Sequence, residues 1–174
     1  GTMDSGTRLC FTMADSGIKT IDDLRQRKAI TAATAAGSST TDYSWFMNAL
    51  AGTKFDVVTG YKGPGDVFLA LERGEATTVC SLDSATVNAL RPDWISSGKI
   101  TLLMQAGLEP SPRFKAPSMW NYIKPEDKPV VELIVGQQFF GRPFFAPPGT
   151  PPQAMRSEEH TSELQSQSTI SYAV

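Results

Sequence analysis

The sequence predicts an α/β protein in which helices flank a sheet of mainly parallel strands. Short apolar runs alternate with amphipathic stretches across residues 29–104. Each connection between two apolar runs is long enough for the crossover helix that parallel strands require. Turn residues such as Gly52 and Gly74 separate the segments. This alternation is typical of consecutive β-α-β units packed around one sheet.

The individual elements follow from local patterns. Apolar runs predict strands at 29–33, 55–58, 77–80 and 100–104. The helices predicted between them are a short one that Thr20 caps, one with apolar residues at helical spacing from Tyr43 to Leu50, one from Val67 to Gly74, and one that Asp83 caps.

The C-terminal third follows a different pattern. Residues 105–125 are rich in proline and polar groups, which predicts a long surface loop. A helix is predicted over 126–140, and a short strand then leads into a helix that begins with proline. The apolar side chains of this stretch have little to pack against in the chain, which indicates a second lobe outside it.

The last nineteen residues, 156–174, resemble a translated sequencing adapter. Back-translation of 156–166 can give the constant part of a common short-read adapter, and 170–174 fits a second constant block in the same frame. The three residues between them fit an index. We therefore expect a natural sequence of 1–155, cut short, followed by a non-native disordered tail. The alternative is a natural polar tail.

Composition excludes several functions for the natural part. The tail contains Arg156, three glutamates and the only histidine, so 15 basic and 15 acidic residues remain before it. A neutral chain lacks the positive patch that nucleic acids or anionic membranes attract. No apolar run approaches the ~18 residues of a membrane-spanning helix.

Cys10 and Cys80 are too far apart for a local metal motif, and both lie in strand-like runs. Buried free thiols are the expected state. A disulfide is the alternative in an oxidising compartment.

Three turns at the ends of predicted strands are candidate binding sites. In parallel sheets, ligands bind where strands end and helices begin, because helix N-termini offer unpaired N–H groups to anions. The first turn, 34–40, combines small residues with hydroxyls; the second, 60–65, adds an aromatic ring and a cation; the third, 81–84, adds an acid. Taken singly, each turn could be an ordinary helix cap. The candidate residues are Gly37, Ser38, Ser39, Thr40, Tyr61, Gly63 and Asp83.

Catalysis is not expected. Residues 1–155 contain no histidine, CxxC or HExxH, so neither a Ser-His-acid triad nor a zinc site can be built from them. A pair formed by Ser38 and Lys62 is conceivable, but no spacing favours it. No phosphate-binding GxxxxGK[ST] loop occurs.

Five segments together resemble the Bug-type (TctC-like) solute-binding receptors of tripartite tricarboxylate transporters. The resemblance covers nearly all of residues 7–155. It rests on GIKTIDDL (17–24), TAAGSST (34–40), FDVVTGYKG (55–63), LERGE (71–75) and RPFFAPPG (142–149), which occur in the order found in that family.

The resemblance implies a two-lobed, type II periplasmic-binding-protein fold. Such a protein is a periplasmic monomer that closes on a small di- or tricarboxylate without cofactor or metal and delivers it to membrane components of the transporter. Residues 1–16 would then be the hinge strand and linker, 17–125 the second lobe, and 126–155 the return to a largely missing first lobe. Gly37, Ser38, Ser39 and Thr40 would bind a carboxylate, Tyr61 and Gly63 would line the cleft, and Asp83 would face it.

The chain departs from the family pattern in places. The Gly-rich ligand loop of the first lobe is absent, residues 35–37 contain less glycine, and a histidine often found in the following helix is missing. An alternative class is the effector-binding domain of a transcriptional regulator with the same fold. A signal peptide or a helix-turn-helix upstream would discriminate the two. A small hydrolase would need a histidine or metal site beyond both ends.

Overall fold

The fold is built on one sheet whose strands are assembled out of chain order. The computed structural model describes residues 7–136 and 148–151, and residues 7–135 belong to one compact unit. Within that unit the strand order is β3-β2-β4-β1-β5. The strands are β1 Arg8–Met13, β2 Ala29–Ala32, β3 Phe55–Val58, β4 Thr78–Asp83 and β5 Ile100–Gln105.

Four helices connect consecutive strands, and a fifth follows β5 within the described residues. They are α1 Ile21–Gln26, α2 Ser39–Ala51, α3 Pro64–Glu72, α4 Ser84–Leu90 and α5 Lys128–Val135. Three short 3₁₀ helices occupy Ala14–Ser16, Met119–Tyr122 and Pro125–Asp127. The elements predicted between residues 20 and 104 are all present, which confirms the α/β prediction.

Four of the five strands run in the same direction. β2 pairs in parallel with β3 and β4, whereas β1 is antiparallel to both β4 and β5. The register places Arg8, the first residue of β1, opposite Asp83, the last residue of β4. The beginning of β1 therefore lies at the edge of the sheet where β2, β3 and β4 end.

Two apolar clusters cover the two faces of the sheet. Alternate residues of β1 divide between them, with Cys10 on one face and Leu9 and Phe11 on the other. Helices α1, α2 and α5 pack on the first face, and α3 and α4 pack on the second with Trp94. The unit is thus a three-layer sandwich, in which the helices on both faces fix the position of the sheet and its edges.

The two cysteines form a disulfide, so the expectation of free thiols is wrong. Cys10 of β1 is bonded to Cys80 of β4 across a sequence separation of 70. The cause is the antiparallel placement of β1 next to β4, which local sequence patterns do not reveal. Both cysteines are fully buried. The bond therefore lies inside the core and joins two adjacent central strands.

The segment after β5 is held by one buried side chain. Gln105 is 3% exposed. Its Nε2 donates to the carbonyls of Phe114 and Ala116 at 3.1 and 3.0 Å, and its Oε1 accepts from the Ser111 N–H at 2.7 Å. The predicted loop is thus fixed to the sheet. The helix predicted over 126–140 is observed as α5 after a 3₁₀ turn. Residues 137–147 and 152–174 lie outside the described residues. They include the predicted strand, the end of the return segment and the tail.

Helix α1 begins with the cap that the sequence predicts. Thr20 Oγ1 accepts from the Asp23 N–H at 3.2 Å, and Asp23 Oδ2 accepts from the Thr20 N–H at 3.0 Å. The Lys19 N–H also donates to this carboxylate at 2.8 Å. This reciprocal arrangement satisfies donors that the helix itself leaves unpaired.

Stability should depend on the charge of Asp23. The backbone hydrogen bonds from Lys19 and Thr20 lower the pKa of the Asp23 carboxyl. Because the folded-state pKa is depressed, the stabilisation is full above the unfolded-state value and is lost as the pH falls through the folded-state value. We expect Asp23→Asn to destabilise the protein at pH 7 and to make much less difference in strong acid. Urea unfolding at both pH values tests this, and an equal effect at both would contradict it.

Among the described residues, no helix combines the length and apolar character needed to cross a membrane.

Candidate ligand-binding site

The three turns singled out in the sequence lie along one edge of the sheet. The first follows β2 and the second follows β3, whereas the third, 81–84, comprises the last three residues of β4 and the first residue of α4. The strands β3, β2 and β4 are neighbours in the sheet order. The Gly60 N–H donates to the Thr34 carbonyl at 2.9 Å and so joins the first two turns. Helices α2, α3 and α4 begin at this edge. The parallel strands therefore bring the backbone of these three segments to one edge of the sheet.

The hydroxyls of the first turn are used within the turn. Ser38 Oγ lies 2.9 Å from Thr40 Oγ1, and Thr40 Oγ1 accepts from the Thr34 N–H at 3.1 Å. Thr41 Oγ1 donates to the Ala35 carbonyl at 2.7 Å. Thr40 is buried, whereas Gly37 is exposed and takes a left-handed φ of 76°. These hydroxyls shape the turn more than they face solvent.

This network leaves the start of α2 open to an acceptor. The Ser38 side chain makes no capping hydrogen bond to the 13-residue helix. The first N–H groups of a helix have no partner within the helix, and together with the helix dipole they favour an anion. The N-terminus of α2, at Ser39 and Thr40, can therefore accept a carboxylate.

Arg8 is a site residue that the sequence analysis missed. Its Nη1 lies 3.3 Å from Ser39 Oγ and 3.4 Å from the Ser81 carbonyl oxygen. It thereby connects the start of α2 with the C-terminal part of β4. Arg8 takes part in none of the ion pairs found among residues 7–136 and 148–151. The signal that could have found it is the antiparallel direction of β1, which puts its first residue at the ligand edge.

Ser81 has an unusual backbone and an unsatisfied hydroxyl. Its φ of 59° lies in the left-handed region that few non-glycine residues adopt. Between Leu9 and Phe11 the register of β1 against β4 shifts, so that Cys80 and Ser81 together oppose Cys10. Ser81 Oγ is buried without a hydrogen-bond partner, although its N–H donates to Cys10 Sγ at 3.3 Å. Such β-bulges re-aim side chains and backbone groups, often beside functional sites.

The second turn supplies a ring and an extended glycine. Tyr61 is half-buried and packs against the apolar cluster on the α3 face of the sheet. Gly63 has an extended backbone and precedes α3. Lys62 is exposed, and its N–H donates to Asp66 Oδ2 at 3.2 Å. No contact between Lys62 and Ser38 is found among the described residues.

Asp83 serves as a helix cap. Its Oδ1 accepts from the Ala85 N–H at 2.7 Å at the start of α4. Although it is the register partner of Arg8, the two side chains do not form an ion pair. The carboxylate thus caps the helix, and the cation beside it forms no ion pair with any acid among the described residues.

The described residues offer no cluster of three or more His, Cys, Asp or Glu side chains that could hold a metal ion. An open depression occurs at the opposite edge of the sheet, where β2 and β3 begin, lined by Lys28, Asn48, Thr53, Lys54, Phe55 and Asp56. The Asn48 side chain there is bonded to Thr53 and Phe55. This depression is accounted for by the packing of the α2–β3 loop.

Comparison with solved structures finds proteins of similar fold. A TctC solute-binding protein from Polaromonas aligns with a TM-score of 0.56 and 18% identity over 79% of this chain and 53% of that one. A protein from R. palustris solved with adipate gives 0.56 and 15% over 94% and 64%. A periplasmic transporter gives 0.51 and 14% over 95% and 64%. No family model and no curated protein matches the chain.

These likenesses establish the fold. At such low identity they show only that the chain shares an α/β fold with these proteins, with a mostly parallel sheet flanked by helices. The chain spans between 53% and 64% of the length of these three proteins. Any ligand of these proteins is stated of them and not of this chain.

Proposed function

We propose that the chain is part of a solute-binding receptor that captures a small di- or tricarboxylate without catalysing a reaction. The observation that carries the proposal is the edge where the uncapped start of α2 lies beside Arg8. Unpaired helix N–H groups and a cation that forms no ion pair with the described acids favour an anionic ligand. The presence of adipate in a similarly folded protein supports a carboxylate.

Each candidate residue has a place in this proposal. Gly37 and the N–H groups of Ser39 and Thr40 would contact the carboxylate. Ser38 would hold the turn in shape. Tyr61 and Gly63 would border the ligand, and Asp83 would face it from the third turn.

The finer part of the proposal concerns the whole protein. We infer a two-lobed periplasmic receptor, with 1–16 as hinge strand and linker, 17–125 as the second lobe and 126–155 as the return to the first. A tripartite tricarboxylate transporter would supply its membrane partners. The buried disulfide supports this location, because disulfides persist in oxidising compartments and are rare in the cytosol. The same bond argues against the alternative of a cytoplasmic regulator.

The chain alone should bind its ligand weakly. A two-lobed receptor shares a ligand between its lobes, and each lost charge-assisted hydrogen bond weakens binding by ~1.5–3 kcal/mol. We expect dissociation constants of about 1 mM or weaker for succinate and adipate. Nitrogen-15 NMR titration should show shifts at Gly37, Ser39, Thr40 and Gly60.

The amides of the opposite edge, from Gly52 to Lys54, provide the internal control and should not shift. Carboxylate-induced shifts confined to that edge, or none anywhere, would contradict the proposed function. Micromolar affinity of the chain for a dicarboxylate would instead contradict the sharing of the ligand between two lobes.

A further inference from the structure

We infer that Arg8 determines specificity for a charged ligand by pairing its guanidinium with the ligand carboxylate at the start of α2. This inference rests on the proposed function and deepens it. It assigns the discrimination between a carboxylate and its neutral amide to one side chain of β1. The N–H groups of α2 would then hold the carboxylate from a second side.

The first argument is the number of donors that Arg8 has available. A guanidinium carries five N–H donors in a rigid fork. In the structure Nη1 makes two contacts, at 3.3 and 3.4 Å, both longer than the usual 2.9–3.0 Å of an N–H···O bond. These contacts orient the side chain but use only a small part of its hydrogen-bonding capacity. The remaining donors are suited to the two oxygens of a carboxylate.

The second argument is the missing counter-charge. Arg8 is only partly exposed, and it forms no ion pair with any acid among the described residues. Its register partner Asp83 is the nearest acid along the ladder, yet that carboxylate caps α4 and forms no ion pair with Arg8. A ligand carboxylate would supply the negative charge that no described acid provides to Arg8.

The third argument is the position of Ser39. Arg8 Nη1 contacts the hydroxyl of the first residue of α2, so the guanidinium lies beside the N–H groups that open this helix. Ser81, whose carbonyl Arg8 also contacts, is 1% exposed and has a hydroxyl without a partner. A cation and an open helix terminus thus meet in one place, beside the backbone bulge at Ser81.

The test compares adipate with adipamide, which has the same length but no charge. Both are titrated by NMR into the unmodified chain, Arg8→Gln and Arg8→Lys. We expect the chain to prefer adipate and Arg8→Gln to bind it about tenfold more weakly, equal to about 1.4 kcal/mol, with adipamide binding unchanged. Arg8→Lys should fall between them, because it keeps the charge and loses the fork.

Arg73→Gln is the matched control, since Arg73 is an exposed arginine whose ion pair with Glu75 is on the surface. It should bind adipate like the unmodified chain. Urea unfolding of each variant checks its fold, and Arg8→Lys carries the test should Arg8→Gln unfold.

The outcomes separate the two proposals. If the unmodified chain binds adipate at this edge and Arg8→Gln binds it equally well, the role of Arg8 is overturned while the proposed function stands. If Arg8→Gln weakens adipamide as much as adipate, Arg8 only shapes the edge, and the inference is again overturned. If adding a carboxylate shifts no amide signals at the edge of the unmodified chain, both the proposed function and this inference are overturned.

Discussion

Replacing Cys10 and Cys80 together with alanine is expected to lower the free energy of unfolding by about 2–4 kcal/mol. The bond closes a loop with a sequence separation of 70, and restricting a loop of that length removes much of the entropy of the unfolded chain. The substitution also removes the sulfur that accepts the Ser81 N–H, and so leaves the bulge beside Arg8 less well held. Urea unfolding of the oxidised protein and of the double variant measures the difference.

Reduction provides the control for this prediction. Dithiothreitol should lower the stability of the unmodified protein toward that of the double variant and leave the double variant unchanged. Equal stability of the oxidised and reduced protein, or free thiols found by mass spectrometry of the unreduced protein, would contradict the expectation.

Phe68→Ala should destabilise the protein by about 3–5 kcal/mol. Phe68 of α3 is fully buried, and its ring centroid lies 5.1 Å from that of Trp94 and 6.5 Å from that of Phe11. The guanidinium of Arg91 lies 5.5 Å from the same ring. Truncation leaves a cavity between α3 and the sheet that these rigid aromatic neighbours cannot fill.

The adjacent residue on the same helix supplies the matched control. Leu69 is 41% exposed, so Leu69→Ala should change the stability by about 0.5 kcal/mol or less. Urea or thermal unfolding of the two variants tests the pair. A loss of less than about 1 kcal/mol for Phe68→Ala, or comparable losses for both, would show that the cluster on this face is looser than its burial indicates.

The elements that could be predicted from the sequence are those set by neighbours along the chain. Thr20 and Asp23 are three residues apart, so the cap of α1 depends on nearby residues and can be predicted from their types. The apolar spacing of α2 and the left-handed Gly52 at its end are local in the same sense. Strand-to-helix turns follow from these elements, which is why the edge itself could be placed.

What the sequence patterns missed depends on contacts between distant residues. The residues around Arg8 do not indicate that β1 is antiparallel to β4. The position of Arg8 at the sheet edge and the Cys10–Cys80 pair could therefore not be predicted. Ser81 looks like an ordinary strand residue, because its left-handed backbone arises only from the extra residue that β4 carries opposite β1. Asp83 was correctly predicted as a cap, and its separation from Arg8 follows from that task.

The central position of β1 also has a consequence for how the protein acquires its structure. β1 leaves the ribosome before β4 and β5, yet these two strands are its neighbours in the sheet, with Cys10 paired to Met104. Pairings between residues so far apart in the chain slow folding, because a long loop must close before any contact forms. We therefore expect both edges of β1 to stay unpaired until β4 has been synthesised, and one edge until β5 has been. The nascent chain then needs protection from aggregation during that interval.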